Sequence, residues 1–196
     1  MFTFTTPVEK KVKPFSWSYS KIKNYRTCPF RYKKIDVDKT YKEDFSGPDL
    51  AWGNHVHKAF ERRISMGQPF PADLAIYEDA ALRLLQAPGK IMVEQQLAIT
   101  KDLTPCAWFA DDAWFRAIAD FLAVAGKVAL AIDYKTGKIL EDSQQLALLA
   151  ETIFAHYPEV EAVRTEFWWL KDDAVTTRNY FRKNRKMTGR NRTFPY

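Results

Sequence analysis

The sequence predicts an α/β (α+β) fold, a central mixed β-sheet flanked by helices. Three observations predict it. Helix-like and strand-like patterns follow one another as helices, three strands, one helix and two strands. The run from Val128 to Tyr134 is apolar except for Asp133, as in a strand buried on both faces. Ala125-Gly126-Lys127 just before it reads as a tight turn from a second apolar strand. A length of 196 residues suits one domain with a sizeable core. A hydrophobic content of 46% and an aromatic content of 15% argue for a packed globule over disorder.

Residues 1–15 read as an irregular arm. Lys21–Cys28 reads as a short helix with a serine N-cap, and Pro29 interrupts it. Phe30–Asp36 reads as a second turn or helix. Gly47-Pro48 marks a turn, and a helix runs from Asp49 or Leu50 to Met66, with Val56, Ala59, Phe60 and Ile64 near helical spacing. Asp73–Gln86 reads as a further helix, stopped by Pro88-Gly89. Lys90–Thr100 and Trp114–Val124 read as strands, with Asp102–Asp112 a loop or short hairpin element between them. After the strand at 128–135, Asp142 or Ser143 caps a helix that reaches His156. Val160–Leu170 and Ala174–Phe181 form a final hairpin through Lys171-Asp172-Asp173.

Charge is unevenly spread. Residues 9–42 carry eleven Lys/Arg against three Asp/Glu, residues 43–177 twelve against twenty-one, and residues 178–196 seven against none. An acidic centre between basic ends suits an enzyme that holds a divalent metal and grips a polyanion. Solvated surface charge is the plainer alternative. Lys21, Arg26, Arg31 and Lys33, interleaved with Tyr25, Phe30 and Tyr32, could hold phosphates and stack bases. No apolar stretch approaches the roughly 18 residues of a membrane span. Met1–Lys13 lacks an apolar signal core, so an intracellular setting is expected. Cys28 and Cys106 are too few for a four-cysteine metal or iron–sulfur site.

The chemistry gathers around Asp133. Strand side chains alternate, so Asp133 and Lys135 point the same way. A carboxylate in an apolar strand needs a cation, either a metal or a lysine. The turn at 125–127 makes the two strands antiparallel neighbours and sets Asp120 opposite or close to Asp133. Two carboxylates and a lysine then converge, or a buried ion pair is formed. Glu94 repeats the pattern one strand earlier. His57 lies on the long helix one turn before Glu61, with His55 nearby as a decoy.

Together these segments resemble one family. Gly53-Asn54-His55-Val56-His57-Lys58-Ala59-Phe60-Glu61 is similar to the Gly-x-x-x-His-x-x-x-Glu helix of RecB-like nucleases of the PD-(D/E)XK superfamily. Ser18–Lys21 followed by Tyr25–Lys33 resembles their N-terminal signature. Ala119-Asp120-Phe121 resembles the first carboxylate motif and Asp133-Tyr134-Lys135-Thr136-Gly137 the Asp-x-Lys-Thr-Gly motif. Gln145–Ala150 resembles the glutamine helix that follows. The chain has Ala117 where the family often has glycine, and Leu149 where it often has tyrosine. Some relatives hold an iron–sulfur cluster with one N-terminal and three C-terminal cysteines. Cys28 has no such partners, so no iron–sulfur cluster is expected.

The resemblance implies a restriction-endonuclease-like core. Residues 1–182 would be a single nuclease domain, with 1–48 its basic helical N-terminal part and 183–196 a basic tail. It implies that His57, Asp120, Asp133 and the Tyr134 carbonyl bind Mg²⁺ or Mn²⁺, with Glu94 binding directly, through water or at a second metal. Asp120, Asp133, Lys135 and Glu94 would be the catalytic set. Lys135 would face the attacking water, and Gln145 would touch the nucleic acid or fix Lys135. Lys21, Arg26, Arg31, Lys33, Arg182 and Arg185 would hold DNA. The implied activity is DNA phosphodiester hydrolysis by an exonuclease of recombination, repair or phage DNA metabolism. A structure-specific or restriction-like endonuclease and an inactive binding module are the alternatives. The expected partners are single- or double-stranded DNA, particularly its ends, and a single-strand-binding or recombination protein, with no membrane. The expected location is the cytoplasm of a bacterial or phage-infected cell.

Overall fold

Six strands form one sheet: β1 (Lys90–Ile99), β2 (Pro105–Cys106), β3 (Phe115–Ala125), β4 (Val128–Lys135), β5 (Ala162–Trp169) and β6 (Ala174–Phe181). Their order is β2-β1-β3-β4-β5-β6, and only β4 and β5 run parallel. The sheet is therefore mixed, as the element order predicted. The computed structural model describes residues 15–42, 47–140 and 143–184. The arm before residue 15, Asp142 and Arg185 with the tail after it lie outside these.

The helices are α1 (Tyr19–Thr27), α2 (Pro29–Tyr32), α3 (Pro48–Met66), α4 (Glu78–Leu85) and α5 (Gln144–His156). Ser18 caps α1 by accepting the Lys21 N–H, and Pro29 opens α2, which continues as a π-helical turn over Lys33–Val37. The helix expected over Asp73–Gln86 is divided. Ala72–Tyr77 is a 3₁₀ turn, and α4 begins only at Glu78. Tyr77 breaks it at φ −93°, ψ 2°. Its ring lies against Phe60 and its hydroxyl donates to the Leu170 carbonyl at 3.2 Å, a tertiary pull that overrides local helix periodicity. Ser143 flanks α5 without a side-chain capping bond.

Two cores cover the two sheet faces. Val56, Phe60 and Leu84 of α3 and α4 pack on Phe121, Ile132 and Tyr134. Leu149, Ile153 and Phe154 of α5 pack on Leu122, Ala131 and Val163. The α5 helix also spans the parallel step from β4 to β5, a connection that needs a crossover of this kind.

The β3–β4 ladder runs from Ala125↔Val128 to Phe121↔Ile132 and stops there. Asp120 thus stands opposite Asp133 where the two strands part, the register that the turn predicted. Strand alternation reverses at the same level. Ile91, Val93, Phe121 and Ala123 face α3 and α4, whereas Leu97, Ala117 and Ala119, also odd-numbered, face α5. The reversal falls at Glu94 and Asp120. Val93↔Phe121 and Gln95↔Ala119 keep one register, and Glu94 between them takes a left-handed backbone, φ 48°.

Candidate active site

Each side chain reaches the site through a local feature of its element. Pro48 starts α3 and Gly67, at φ 68°, ends it. A Cβ on Gly53 would lie 3.3 Å from Thr136 Oγ1, so the glycine lets α3 approach the end of β4. One turn further on, His57 then reaches over the sheet. Its Nδ1 is 3.3 Å from Asp120 Oδ1 and 3.9 Å from Glu94 Oε1, and its Nε2 is 3.1 Å from the Tyr134 carbonyl. A carbonyl only accepts, so Nε2 carries a hydrogen and donates. In the neutral ring the Nδ1 lone pair therefore faces two carboxylates. That arrangement requires a cation between them, either a proton or a metal.

Burial opposes a charged His57, but the hydrogen bond and charge of Asp120, with Asp133 and Glu94 beyond, raise its pKa above the ordinary imidazole value. Burial and the Asp120 charge push the Glu94 carboxyl up to about 7. Asp120 is buried, and its Oδ2 accepts the Tyr134 N–H at 2.7 Å, taking the place of the ladder bond lost where β3 and β4 part.

Ligand atoms of His57, Glu94 and Asp120 all lie within 4.8 Å of one another. One imidazole nitrogen with carboxylate oxygens is a donor set that fits Mg²⁺ or Mn²⁺. Glu94 thus belongs to the central cluster rather than to its margin. The Tyr134 carbonyl, expected as a ligand, accepts from His57 and orients it. Asp133 is turned to a second group. Its Oδ2 is 2.7 Å from Lys135 Nζ, an ion pair without hydrogen-bond alignment. Gln145 Nε2 donates to Asp133 Oδ1, and Lys135 Nζ donates to Gln145 Oε1 at 2.9 Å. Burial and the Asp120 charge push Asp133 up to about 6, against the pull of Lys135.

The expected DNA-binding residues divide. Arg31 and Lys33 lie on the surface. Lys21 donates to the Ser16 carbonyl at 2.7 Å and sits over the Phe15 ring, holding the arm in place. Arg26 bonds Gln144 of α5. Tyr25 and Tyr32 pack with Trp17. Arg182 has a structural role. Its Nε donates to the Val160 carbonyl and its Nη2 to those of Phe154 and Tyr157, at 2.7–2.9 Å, so three of its five N–H donors serve the end of α5. His55 pairs with Asp73 at 3.0 Å, away from the cluster, as a decoy should.

A model of the PD-(D/E)XK nuclease superfamily matches residues 16–184, from the arm to the turn after β6. The chain belongs to that superfamily. Membership in the PD-(D/E)XK superfamily implies a nuclease, a hydrolase of phosphodiester bonds in nucleic acid, and the superfamily uses divalent metals. The crystal structure of SSO0001 is similar at a TM-score of 0.39 and 11% identity, over 88% of this chain and 70% of that one. No curated protein matches the chain. Among the described residues no helix is long and apolar enough to cross a membrane.

The least predictable feature of this PD-(D/E)XK site is the Glu94 backbone. A left-handed glutamate inside an apolar strand leaves no mark in composition or periodicity.

Proposed function

We propose that the chain is a Mg²⁺- or Mn²⁺-dependent deoxyribonuclease of RecB-like type, an exonuclease serving recombination, repair or phage DNA metabolism. The observation that carries this reading is the lone-pair conflict at His57 Nδ1, which a divalent cation shared with Glu94 and Asp120 relieves. Asp133, freed from Lys135, completes the ligand set. A bound metal supplies Lewis-acid activation of the phosphate and of the attacking water.

The chain's own residues supply the rest. His57 is held in one tautomer by the Tyr134 carbonyl, which aims Nδ1 at the site. Lys135, steadied by Gln145, orients the attacking water and offsets charge that develops on the phosphate. Attack is in line, with no covalent enzyme intermediate. Arg31, Lys33 and the basic segments hold the backbone, so binding weakens steeply with salt.

End-labelled linear single- and double-stranded DNA and closed circles, incubated with Mg²⁺, Mn²⁺ or EDTA, test the reading. Linear DNA should be degraded from its ends with metal and left intact in EDTA. Lys135→Ala and Asp120→Ala should each lose at least about 100-fold in rate, the size of one lost charge-stabilising contact. Activity that survives EDTA or either substitution rejects the mechanism. Cleavage of circles replaces the exonuclease by an endonuclease.

A further inference from the structure

The cleft that holds Asp120, Asp133, Lys135 and Gln145 has a volume of ≈ 610 Å³ and continues to two side chains that the hydrolytic machinery does not use, Trp108 and Arg116. Residues 16–21, which lead into α1, close it on the side away from β4, because Trp17 pairs with β3 at Phe115 and its carbonyl accepts the Arg116 N–H at 2.9 Å. Between that bridge and the first β3–β4 pair the sheet is split, and the cleft occupies the split.

Trp108 sits in a turn closed by Ala110 N–H to the Ala107 carbonyl at 3.0 Å. A second turn, Ala113 N–H to the Ala110 carbonyl at 3.2 Å, follows directly. Two successive turns hold the indole at the cleft wall. The Arg116 guanidinium lies 5.7 Å from the centre of that ring. Arg116 makes no ion pair among the described residues, and its Nε is buried without a hydrogen-bond partner. A buried guanidinium donor without an acceptor is costly, and phosphate oxygens match its fork. An indole braced by a guanidinium offers a flat face to a base.

We propose that Trp108 and Arg116 form a subsite for an unpaired nucleotide, Arg116 taking its phosphate and Trp108 stacking its base, so that the preferred substrate is single-stranded DNA. The proposal rests on the nuclease reading only for the identity of the polymer. The cleft volume falls in the range of small-ligand sites, roughly 300–1,000 Å³, which suits one or two nucleotides and not a section of duplex. Arg116 precedes Asp120 by four residues on β3, roughly 13 Å at the usual strand rise. The subsite thus takes a neighbouring nucleotide, and the pair determines specificity without touching the reacting atoms. Its signals in the sequence are an arginine inside the apolar run from Phe115 to Val124 and the adjacent Trp108-Phe109, with Phe109 82% exposed.

The test is equilibrium binding in EDTA, where no cleavage intervenes, by fluorescence anisotropy. The probes are a labelled oligothymidylate, its abasic counterpart with the same phosphates, and a blunt duplex. Wild type should bind the oligothymidylate most tightly and the abasic strand about 10-fold less well. Trp108→Ala should lose that difference and Trp108→Phe should keep most of it. Arg116→Gln should lower the slope of log affinity against log salt by about 0.7, the share of one phosphate on a single strand. Equal wild-type affinity for intact and abasic strands, or a preference for the duplex, overturns the proposal without any variant. Adding Mn²⁺ or Mg²⁺ to the same probes separates the two readings. Base-dependent binding without cleavage removes the nuclease reading and keeps the subsite. Cleavage without base-dependent binding does the reverse.

Discussion

Glu94 carries a left-handed backbone and a carboxyl with its pKa near 7, and the two follow from one placement. The strained φ costs on the order of 1 kcal/mol or more and persists because β1 and β3 pair on both sides of it. Three groups at the site hold protons more tightly when folded. Glu94 rises from 4.5 to about 7, Asp133 from 3.8 to about 6, and His57 rises above 6.5. A raised folded pKa contributes stability that is complete below the unfolded value and is lost as pH rises through the folded one. The sign is the same for all three. The metal-stripped chain should therefore melt at a lower temperature at about pH 8 than at about pH 5, and Mn²⁺ should restore the difference at the higher pH while changing little at the lower. Thermal unfolding in EDTA and in Mn²⁺ at both pH values measures this. A melting temperature that rises with pH in EDTA would contradict the clustering of these groups.

Strand β1 enters the sheet through Gly89, at φ 89°, where a Cβ would lie 2.1 Å from the Val124 carbonyl oxygen of β3. No side chain can occupy that position without moving backbone. Gly89→Ala should destabilise the chain by on the order of 3 kcal/mol, from left-handed strain together with the backbone clash. Denaturant unfolding checks this, and a loss under about 1 kcal/mol would mean that β1 does not start against β3 in this way. The motif glycine in α3 is of a different kind. Gly53 faces a threonine side chain, Thr136, that can rotate, so its role is to set how closely His57 approaches the site. Hydrophobic spacing alone located α3, β3, β4 and α5. It misjudged the segment before β1, where contacts of Tyr77 with Phe60 and Leu170 divide one expected helix into a 3₁₀ turn and α4.

The whole chain is tied together by a few long-range polar contacts, and Arg182 is prominent among them. It joins the end of β6 to the carbonyls that terminate α5, the helix that brings Gln145 to Lys135. Arg182→Ala should cost about 2–3 kcal/mol through lost charge-assisted bonds. It should leave the salt slope of DNA binding nearly unchanged, because Nε and both Nη2 hydrogens are committed to carbonyls at and just beyond the end of α5. Chemical unfolding and a salt titration of DNA binding measure the two effects, and a reduced salt slope would return Arg182 to the DNA surface. The basic ends are thus not uniform in use. Lys21 and Arg26 fasten the arm and α1, while Arg31 and Lys33 stay on the surface.

The sequence by itself determined the order of elements, the mixed sheet and the Asp120–Asp133 register. Those depend on hydrophobic period and on a tight turn at 125–127, both local in the chain. It also picked out His57, Glu94, Asp120, Asp133, Lys135 and Gln145 as the residues to watch. Only the tertiary structure decided how they divide into a His57–Glu94–Asp120 cluster and an Asp133–Lys135–Gln145 group. It alone set Glu94 in a left-handed backbone, gave Arg182 to α5 and opened the cleft toward Trp108 and Arg116. The reason is distance along the chain. Each of those outcomes depends on where two strands part and which helix lies over the gap, and contacts across the fold settle that where local pattern leaves no trace.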